Sequence, residues 1–168
     1  TGPHYLVMDD SDLREEGRFK MNPPLRSAED RKALVAGLLD GTIDMIATDH
    51  APHSVEEKSR GLAKSAMGVV GLEFAFAALY TGMVRTGVMP LTRLLYMLTD
   101  APRARFGLPP MTFDPGQAAD LTVFDLNAAW VIDPEAFLSL GRATPLAGMP
   151  VYGRCELTLA GGRTVWQR

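Results

Sequence analysis

The sequence has one cysteine, no excess of basic residues and no long apolar run, and each of these absences excludes a class of protein. The single cysteine among the 168 residues, Cys155, cannot form an internal disulfide, so we expect a reducing compartment, by default the cytoplasm. The net charge is -3, and without a basic cluster there is no electrostatic support for nucleic-acid or membrane binding. Charges and glycines interrupt every apolar segment well short of the ~20 residues that a membrane span requires.

The sequence also begins without a methionine, at Thr1, and we expect no signal peptide from its first residues. Its 168 residues are enough for one ordinary domain with a substantial core. A complete (β/α)8 barrel, in contrast, typically takes about 250 residues. If the motifs point to such a barrel, this chain therefore holds only part of it.

The most informative stretch is IDMIATDHAPH, residues 43–53. Its apolar start predicts a buried parallel strand over Ile43 to Thr48, with Asp49, His50 and His53 after the end of the strand. Barrels of the α/β class keep their chemistry at this end of their strands. A carboxylate here can bind a divalent metal or take a proton from water, and His53 can hold an anionic substrate. On spacing alone, however, such an Asp-His pair is more often structural than catalytic.

Helices are predicted on both sides of this strand. Ser27 followed by Asp30 resembles a capping box, and Gly41 provides a stop, which predicts a helix of about twelve residues. Helical spacing predicts two further apolar faces: Leu72, Phe76, Leu79 and Met83 in one helix, and Leu91, Leu94, Leu95 and Leu98 in another that begins at Pro90. Residues 1–26 are expected to form a long loop, with a solvated short helix or turn over its charged run, Asp9 to Glu16. The loop from Ala51 to Gly68 is long enough to act as a partial lid, and its charged run, Glu56 to Arg60, is expected to be solvated surface.

From Pro109 onward the pattern is that of β-structure. Asp120 to Leu126 alternates as a strand, and Trp130 to Ile132 gives a second short strand. The strongest signal is Gly161-Gly162 between two apolar runs, which predicts a hairpin. We therefore divide the chain into residues 1–108 and a small β-domain, residues 109–168.

Two motifs resemble those of the dihydroorotases in the amidohydrolase superfamily: KMNPPLR, residues 20–26, and ATDHAPH followed by EEK, residues 47–58. The resemblance extends from PHYL, residues 3–6, to the closing hairpin and includes PGQAADLTVFD, residues 115–125. It implies an α/β fold, namely the C-terminal part of a (β/α)8 TIM-type hydrolase barrel followed by a small, composite, β-sandwich-like domain. The first six barrel strands would then lie in a missing N-terminal portion or in a partner chain.

The resemblance also implies roles for individual residues. Asp49 would bind metal and shuttle the proton, whereas Asn22, His53 and the backbone of Met67 and Gly68 would hold the ring of the substrate and its carboxylate. Met67 occupies a position where the family has Phe, so backbone contacts could be kept but not ring stacking. His4 and His50 are interpreted as structural or supporting residues.

The implied reaction is the zinc-dependent, reversible cyclisation of N-carbamoyl-L-aspartate to L-dihydroorotate in pyrimidine biosynthesis. It would use two Zn²⁺ per complete site, most of whose ligands are absent from this chain, so we expect no activity from the chain alone and a homo-oligomer when complete. One alternative is an allantoinase or hydantoinase; such cousins tend to carry SDHSP or SDHCP at this strand. Another is an inactive dihydroorotase-like subunit that scaffolds aspartate carbamoyltransferase.

Overall fold

Helices form the first two thirds of the chain and a three-stranded antiparallel sheet closes it, in a computed structural model that describes residues 1–168. The helices are α1 (Pro3–Val7), α2 (Ala28–Asp40), α3 (Val55–Lys58), α4 (Gly61–Lys64), α5 (Ala75–Leu79), α6 (Leu91–Leu98) and α7 (Asp100–Arg105). A π-helical turn, Tyr80–Val84, extends α5, and short 3-10 turns span Asp10–Asp12, Gly17–Phe19 and Pro134–Ala136. None of the helices combines the length and apolarity needed to cross a membrane.

Helix α2 confirms the capping signals of the sequence. Ser27 is its N-cap and accepts a hydrogen bond from the Asp30 N–H at 3.2 Å, which satisfies one of the free amides of the first turn. The helix ends at Gly41, whose φ of +90° is the left-handed conformation that favours glycine. Leu38 is its fully buried residue, so α2 packs through its C-terminal half.

Two buried clusters hold the chain together. The first joins α1, α2, α5 and α6 and consists of Leu6, Leu38, Ile46, Leu79, Met83, Met89, Leu94 and Met97. The second joins α5 to the sheet and consists of Val70, Phe74, Ala77, Ala78, Ile132, Phe137, Leu146 and Val151. Helix α5 contributes to both clusters, so the sheet is anchored directly on the helical part.

The sheet has the order β1 (Leu121–Val131), β2 (Pro150–Ala160), β3 (Arg163–Gln167). Gly161 and Gly162 join β2 to β3 with φ values of +56° and +77°, as a two-residue hairpin turn requires, so the predicted hairpin is confirmed. The two short strands predicted before residue 133 are one strand, β1, whose pairing with β2 is irregular between Asp125 and Ala129.

The predicted parallel strand over Ile43 to Thr48 is wrong for this chain, because this segment belongs to no hydrogen-bonded ladder. Ala47 N–H donates to the Thr1 carbonyl at 2.9 Å, and the Thr1 ammonium donates to the Met45 carbonyl at 3.3 Å. Beyond it, only His50 and Val69 form a single parallel bridge. A parallel strand needs neighbours that run alongside it for several residues, and here each contact lasts for only one or two.

Residues 1–26 are not one long loop. Pro3 starts α1, where its missing N–H costs nothing, and the helix buries His4 and Leu6. The 3-10 turn Asp10–Asp12 follows and confirms the short helix or turn predicted within Asp9 to Glu16, and a second 3-10 turn spans Gly17–Phe19. The sequence signal was the proline itself, which is as typical of a first helical residue as of a loop.

The predicted apolar stripe from Leu72 to Met83 is correct for Leu79 and Met83 but wrong at its start. Leu72 is 62% exposed, whereas Leu79 is 0% exposed. The reason is that α5 begins only at Ala75, so Leu72 precedes the helix, where its backbone N–H is bonded to the His50 ring. Leu95, assigned to the buried face of α6, is likewise 40% exposed, and Met97 occupies that face with Leu94.

We expect Leu79→Ala to lower the free energy of unfolding by about 3 kcal/mol, because it leaves a cavity in the first cluster. Leu72→Ala, the same change at an exposed position, should alter it by less than about 0.5 kcal/mol. Urea denaturation of both variants measures the difference. Equal effects would contradict the assignment of Leu72 to the surface.

Candidate active site

Asp49 lies at the end of the extended segment in an uncommon backbone conformation. Its φ is +53°, the one positive φ at a residue other than glycine, in the left-handed region that Asp and Asn tolerate better than most residues. Its side chain is 45% exposed, and Oδ2 accepts a hydrogen bond from the Tyr5 hydroxyl at 3.2 Å. The carboxylate is therefore fixed through one oxygen and accessible from solvent.

His4 lies beside this carboxylate, with Nε2 at 3.8 Å from Asp49 Oδ2. The residue is 3% exposed, and Nε2 is buried without a hydrogen-bond partner. Burial lowers the pKa of His4 to about 4, although the negative charge of Asp49 acts in the opposite direction. The imidazole is therefore neutral at pH 7, and the unpartnered nitrogen faces the Asp49 carboxylate.

Tyr5 connects Asp49 to the NPPLR loop. Its hydroxyl is 2.8 Å from the Pro23 carbonyl and 3.2 Å from Asp49 Oδ2, so one proton is shared between two acceptors. Burial raises the pKa of Tyr5 above its ordinary value, and the charge and hydrogen bond of Asp49 raise it further. No pattern in the sequence predicts this role, since a lone Tyr beside His4 is equally compatible with simple packing.

Asn22 is exposed and is held by bonds on both sides of it in the chain. On one side, the Lys20 carbonyl accepts from the Gly68 N–H at 3.1 Å. On the other, the Pro23 carbonyl accepts from Tyr5. The donors of these two bonds are Gly68, a predicted site residue, and Tyr5, which contacts Asp49. The backbone on both sides of Asn22 is therefore fixed.

His53 and Gly68 pack against each other. His53 Nε2 is 2.9 Å from the Met67 carbonyl; because a carbonyl only accepts, this nitrogen carries the proton. His53 Nδ1 lies 3.4 Å from Glu57 Oε2. Gly68 is buried with a φ of +142°, and a Cβ there would come within 2.8 Å of His53 Nε2 and of the Ala51 carbonyl. Only glycine fits this contact.

Lys58 is the exception to the prediction that Glu56 to Arg60 is solvated surface, which is correct for the other four residues. It is 7% exposed, and its Nζ donates to three carbonyls: Lys20 at 2.9 Å, Ala66 at 2.7 Å and Gly68 at 2.7 Å. Burial lowers the pKa of Lys58, and the nearby charge of Lys20 lowers it further. The loop that carries Lys58 is thus tied down at its centre.

His50 is also bound to the backbone. Its Nδ1 accepts from the N–H groups of Gly71 and Leu72, each at 3.2 Å. This nitrogen is therefore unprotonated, and the ring holds the start of the segment that leads to α5. The arrangement agrees with the supporting role expected for His50.

Hydrogen bonds connect the segments that carry the predicted site residues, but these residues do not line one common cavity. Asp49 and Tyr5 line an open cavity of about 800 Å³ with Pro23. His53 lines a separate cavity of about 410 Å³ with Lys58. The segment from Lys20 to Pro23, which includes Asn22, is bonded to residues of both.

The residues present do not by themselves fit a zinc site. Asp49 and His4 offer two donors, and no group of three or more His, Cys, Asp or Glu side chains is arranged to hold an ion. A catalytic zinc normally has three protein ligands and one open position.

A family comparison decides the broader assignment. The model of the Amidohydrolase family matches residues 8–165. The chain belongs to the amidohydrolase family. Among curated members, the dihydroorotases of Bacillus cytotoxicus and Bacillus cereus (strain B4264) are each 48% identical to it over 167 residues. The matches cover 99% of this chain but only 39% of either relative, so the chain spans about two fifths of their length.

Solved structures of a hydantoinase and a dihydropyrimidinase share the fold. L-hydantoinase (dihydropyrimidinase) from Arthrobacter aurescens superimposes with a TM-score of 0.88 at 34% identity, covering 99% of this chain and 38% of that one. Dihydropyrimidinase from Brevibacillus agri NCHU1002 gives the same TM-score and coverage at 25% identity. The helices and the antiparallel sheet described above are thus the arrangement of the matching part of these enzymes.

Proposed function

We propose that this chain is the Asp49-bearing part of a dihydroorotase, which interconverts N-carbamoyl-L-aspartate and L-dihydroorotate. The observation that carries the proposal is the Asp49 carboxylate, exposed on one side and tied through Tyr5 to the loop of Asn22. The identity of 48% to curated dihydroorotases, against 34% to the hydantoinase of A. aurescens, supports this substrate over hydantoins.

Asp49 would carry the proton in this reaction. Its Oδ2 is engaged by Tyr5, while Oδ1 has no hydrogen-bond partner in the chain and is free to exchange a proton with water or with the ring nitrogen. A carboxylate positioned in this way acts as general base in one direction and as general acid in the other. Tyr5 holds the carboxylate and would not itself lose its proton, since its pKa is raised.

Asn22, His53 and the Met67-Gly68 pair would bind the substrate. The Asn22 amide offers both a donor and an acceptor, which matches the imide edge of the ring. The backbone N–H and carbonyl of Gly68 and the Met67 carbonyl are already bonded within the protein, whereas the Met67 N–H has no partner. We therefore assign the backbone contact to the Met67 N–H, with Gly68 allowing the close packing beside it.

Zinc is the cofactor that this family generally uses, and we propose that two ions would occupy the complete site. Asp49 would supply one ligand, and the other ligands would come from residues outside these 168. In the same proposal, residues 1–108 form part of the enzyme barrel and residues 109–168 form part of a small β-domain.

Reconstitution tests the proposed function. This chain would be co-expressed with the part of B. cytotoxicus dihydroorotase that it does not match, and the purified complex is called the reconstituted enzyme below. We expect near-zero zinc on the chain alone, about two zinc ions per reconstituted enzyme, and dihydroorotate hydrolysis that a chelator abolishes. A zinc-loaded complex that does not hydrolyse dihydroorotate would refute the proposal.

A hydantoinase is the second candidate, because the solved hydantoinase of A. aurescens superimposes with a TM-score of 0.88. The same preparation distinguishes the two. Hydrolysis of hydantoin without hydrolysis of dihydroorotate would favour the second candidate.

A further inference from the structure

Lys58, in the middle of the loop between Asp49 and Gly68, is a buried cation without a carboxylate partner. The Lys58 ammonium has three N–H groups, and each finds a carbonyl, those of Lys20, Ala66 and Gly68. None of its contacts is an ion pair, so charge neutralisation does not explain its burial. What it does is join three points of the backbone that lie up to 38 residues away from it in sequence.

These three points adjoin the proposed substrate contacts. The Lys20 carbonyl lies two residues before Asn22 and accepts from both Lys58 and the Gly68 N–H. The Ala66 and Gly68 carbonyls lie on either side of Met67. The Met67 carbonyl in turn binds His53 Nε2. One ammonium group thus fixes the two backbone segments on which Asn22, His53 and Met67 depend.

The surrounding packing leaves Lys58 little freedom to move. A Cβ at Gly17 would come 2.0 Å from the Lys58 carbonyl and 2.2 Å from Ser65 Oγ. The first turn of α3 is closed by a capping box in which Ser54 and Glu57 bond each other's backbone N–H groups. The loop is therefore held at its base as well as at the Nζ of Lys58, which argues against an open-and-shut lid.

We propose that Lys58 is a positioning residue for substrate, which sets the spacing between Asn22 and the Met67-Gly68 pair without touching the substrate. This rests on the proposed function for the identity of the substrate. The three hydrogen bonds of the Lys58 ammonium, called the Lys58 tether below, do not depend on the proposed function, because they are present in the chain without ligand. Lys58 thus contributes to affinity through the groups it holds, and the proton transfer at Asp49 is independent of it.

Lys58→Met is the test, since it keeps an unbranched side chain, one atom shorter, and removes all three donors. Lys64→Met, at an exposed lysine of the same loop, is the matched control. By hydrogen exchange on the chain alone, we expect the Gly68 amide to exchange about 10- to 100-fold faster in Lys58→Met, because lost charged hydrogen bonds shift local opening by that order. The exchange rate of the Leu94 amide in the core should be unchanged in Lys58→Met. In Lys64→Met, the exchange rates of both the Gly68 and the Leu94 amides should be unchanged.

In the reconstituted enzyme, Lys58→Met should raise the KM for dihydroorotate about tenfold with kcat within about twofold of the unsubstituted value. Lys58→Arg, which keeps a cation and N–H donors, should recover part of both effects and replaces Lys58→Met if that variant does not fold. Equal acceleration of exchange at Gly68 and Leu94, or an unchanged KM, would overturn the proposal. If the unsubstituted enzyme does not act on dihydroorotate, the proposed function fails, and the exchange data alone decide whether Lys58 is the tether.

Discussion

Asp49→Asn is expected to lower the turnover of dihydroorotate by the reconstituted enzyme by about 10³-fold, because proton transfer by a positioned carboxylate is typically worth 10²- to 10⁴-fold. Asparagine is the informative replacement. It has the shape of aspartate and tolerates the left-handed backbone, φ +53°, that this position requires. It can also accept the Tyr5 hydrogen bond through its amide oxygen, so the tie to the Pro23 carbonyl can persist. What is removed is the charge and the ability to carry a proton.

The matched control for this substitution is Asp44→Asn. Asp44 lies in the same extended segment, is exposed, and its Oδ2 is 4.0 Å from Arg105 Nε, a surface pair of small energetic value. Asp44→Asn should keep turnover within about twofold of the unsubstituted enzyme and leave the temperature of thermal unfolding unchanged. Zinc content of both variants separates the two roles assigned to Asp49. If Asp49→Asn binds zinc fully but loses turnover, Asp49 has only the proton-transfer role. Normal turnover in Asp49→Asn would contradict both the metal-binding and the proton-transfer role.

Local signals in the sequence predicted the local structure well. The helix from Ser27 to Gly41 depends on a capping hydroxyl and a terminal glycine, and the hairpin depends on Gly161-Gly162; each of these is decided by residues within a few positions. The stripe from Leu72 to Met83 shows the limit. Its spacing is helical throughout, but the helix begins only at Ala75, and the N–H of Leu72 before it binds the ring of His50, 22 residues away.

The remaining errors have the same physical origin. Ile43 to Thr48 has the composition of a buried strand, but a strand is defined by its neighbours, and those within this chain bond to it at single residues. Lys58 lies in a charged run that reads as surface. It is buried because three carbonyls converge on it, and one of these, that of Lys20, is distant in sequence. The burial of a charge is set by partners that the local pattern does not contain.

For the candidate site, the resemblance supplied the residues and the structure supplied the connections between them. Asn22, Asp49, His53 and the Met67-Gly68 pair were named from motifs. Tyr5 and Lys58 lie in the motifs PHYL and EEK but were given no role in the site, and they are the residues that join these groups. Their roles are bonds to backbone carbonyls, which leave no recognisable spacing in the sequence.

Gly68→Ala should be the most damaging single-methyl change in the loop. The added Cβ would lie 2.8 Å from each of three atoms, the Ala51 Cβ, the Ala51 carbonyl and His53 Nε2. The φ of +142° adds backbone strain of about 1 to 3 kcal/mol for a residue with a side chain. The Ala51 carbonyl belongs to the backbone, and the His53 ring is bonded to the Met67 carbonyl. Neither group can therefore move away from the added Cβ without losing stability. We expect the free energy of unfolding to fall by about 3 kcal/mol and kcat/KM to fall by about 100-fold, the order of loss that a misplaced binding group causes.

Gly87→Ala isolates the steric part of this effect. Gly87 also has a positive φ, +77°, but a Cβ there would meet nothing within 4 Å. It should therefore cost only the backbone strain, about 1 kcal/mol, and leave kcat/KM unchanged. If the two variants lose the same stability and Gly68→Ala keeps its KM, then His53 does not depend on the close packing at Gly68. In that case the ring is free to swing away from the Met67 carbonyl, and the substrate contacts assigned to His53 and the Met67 N–H would have to form after binding instead of being present beforehand.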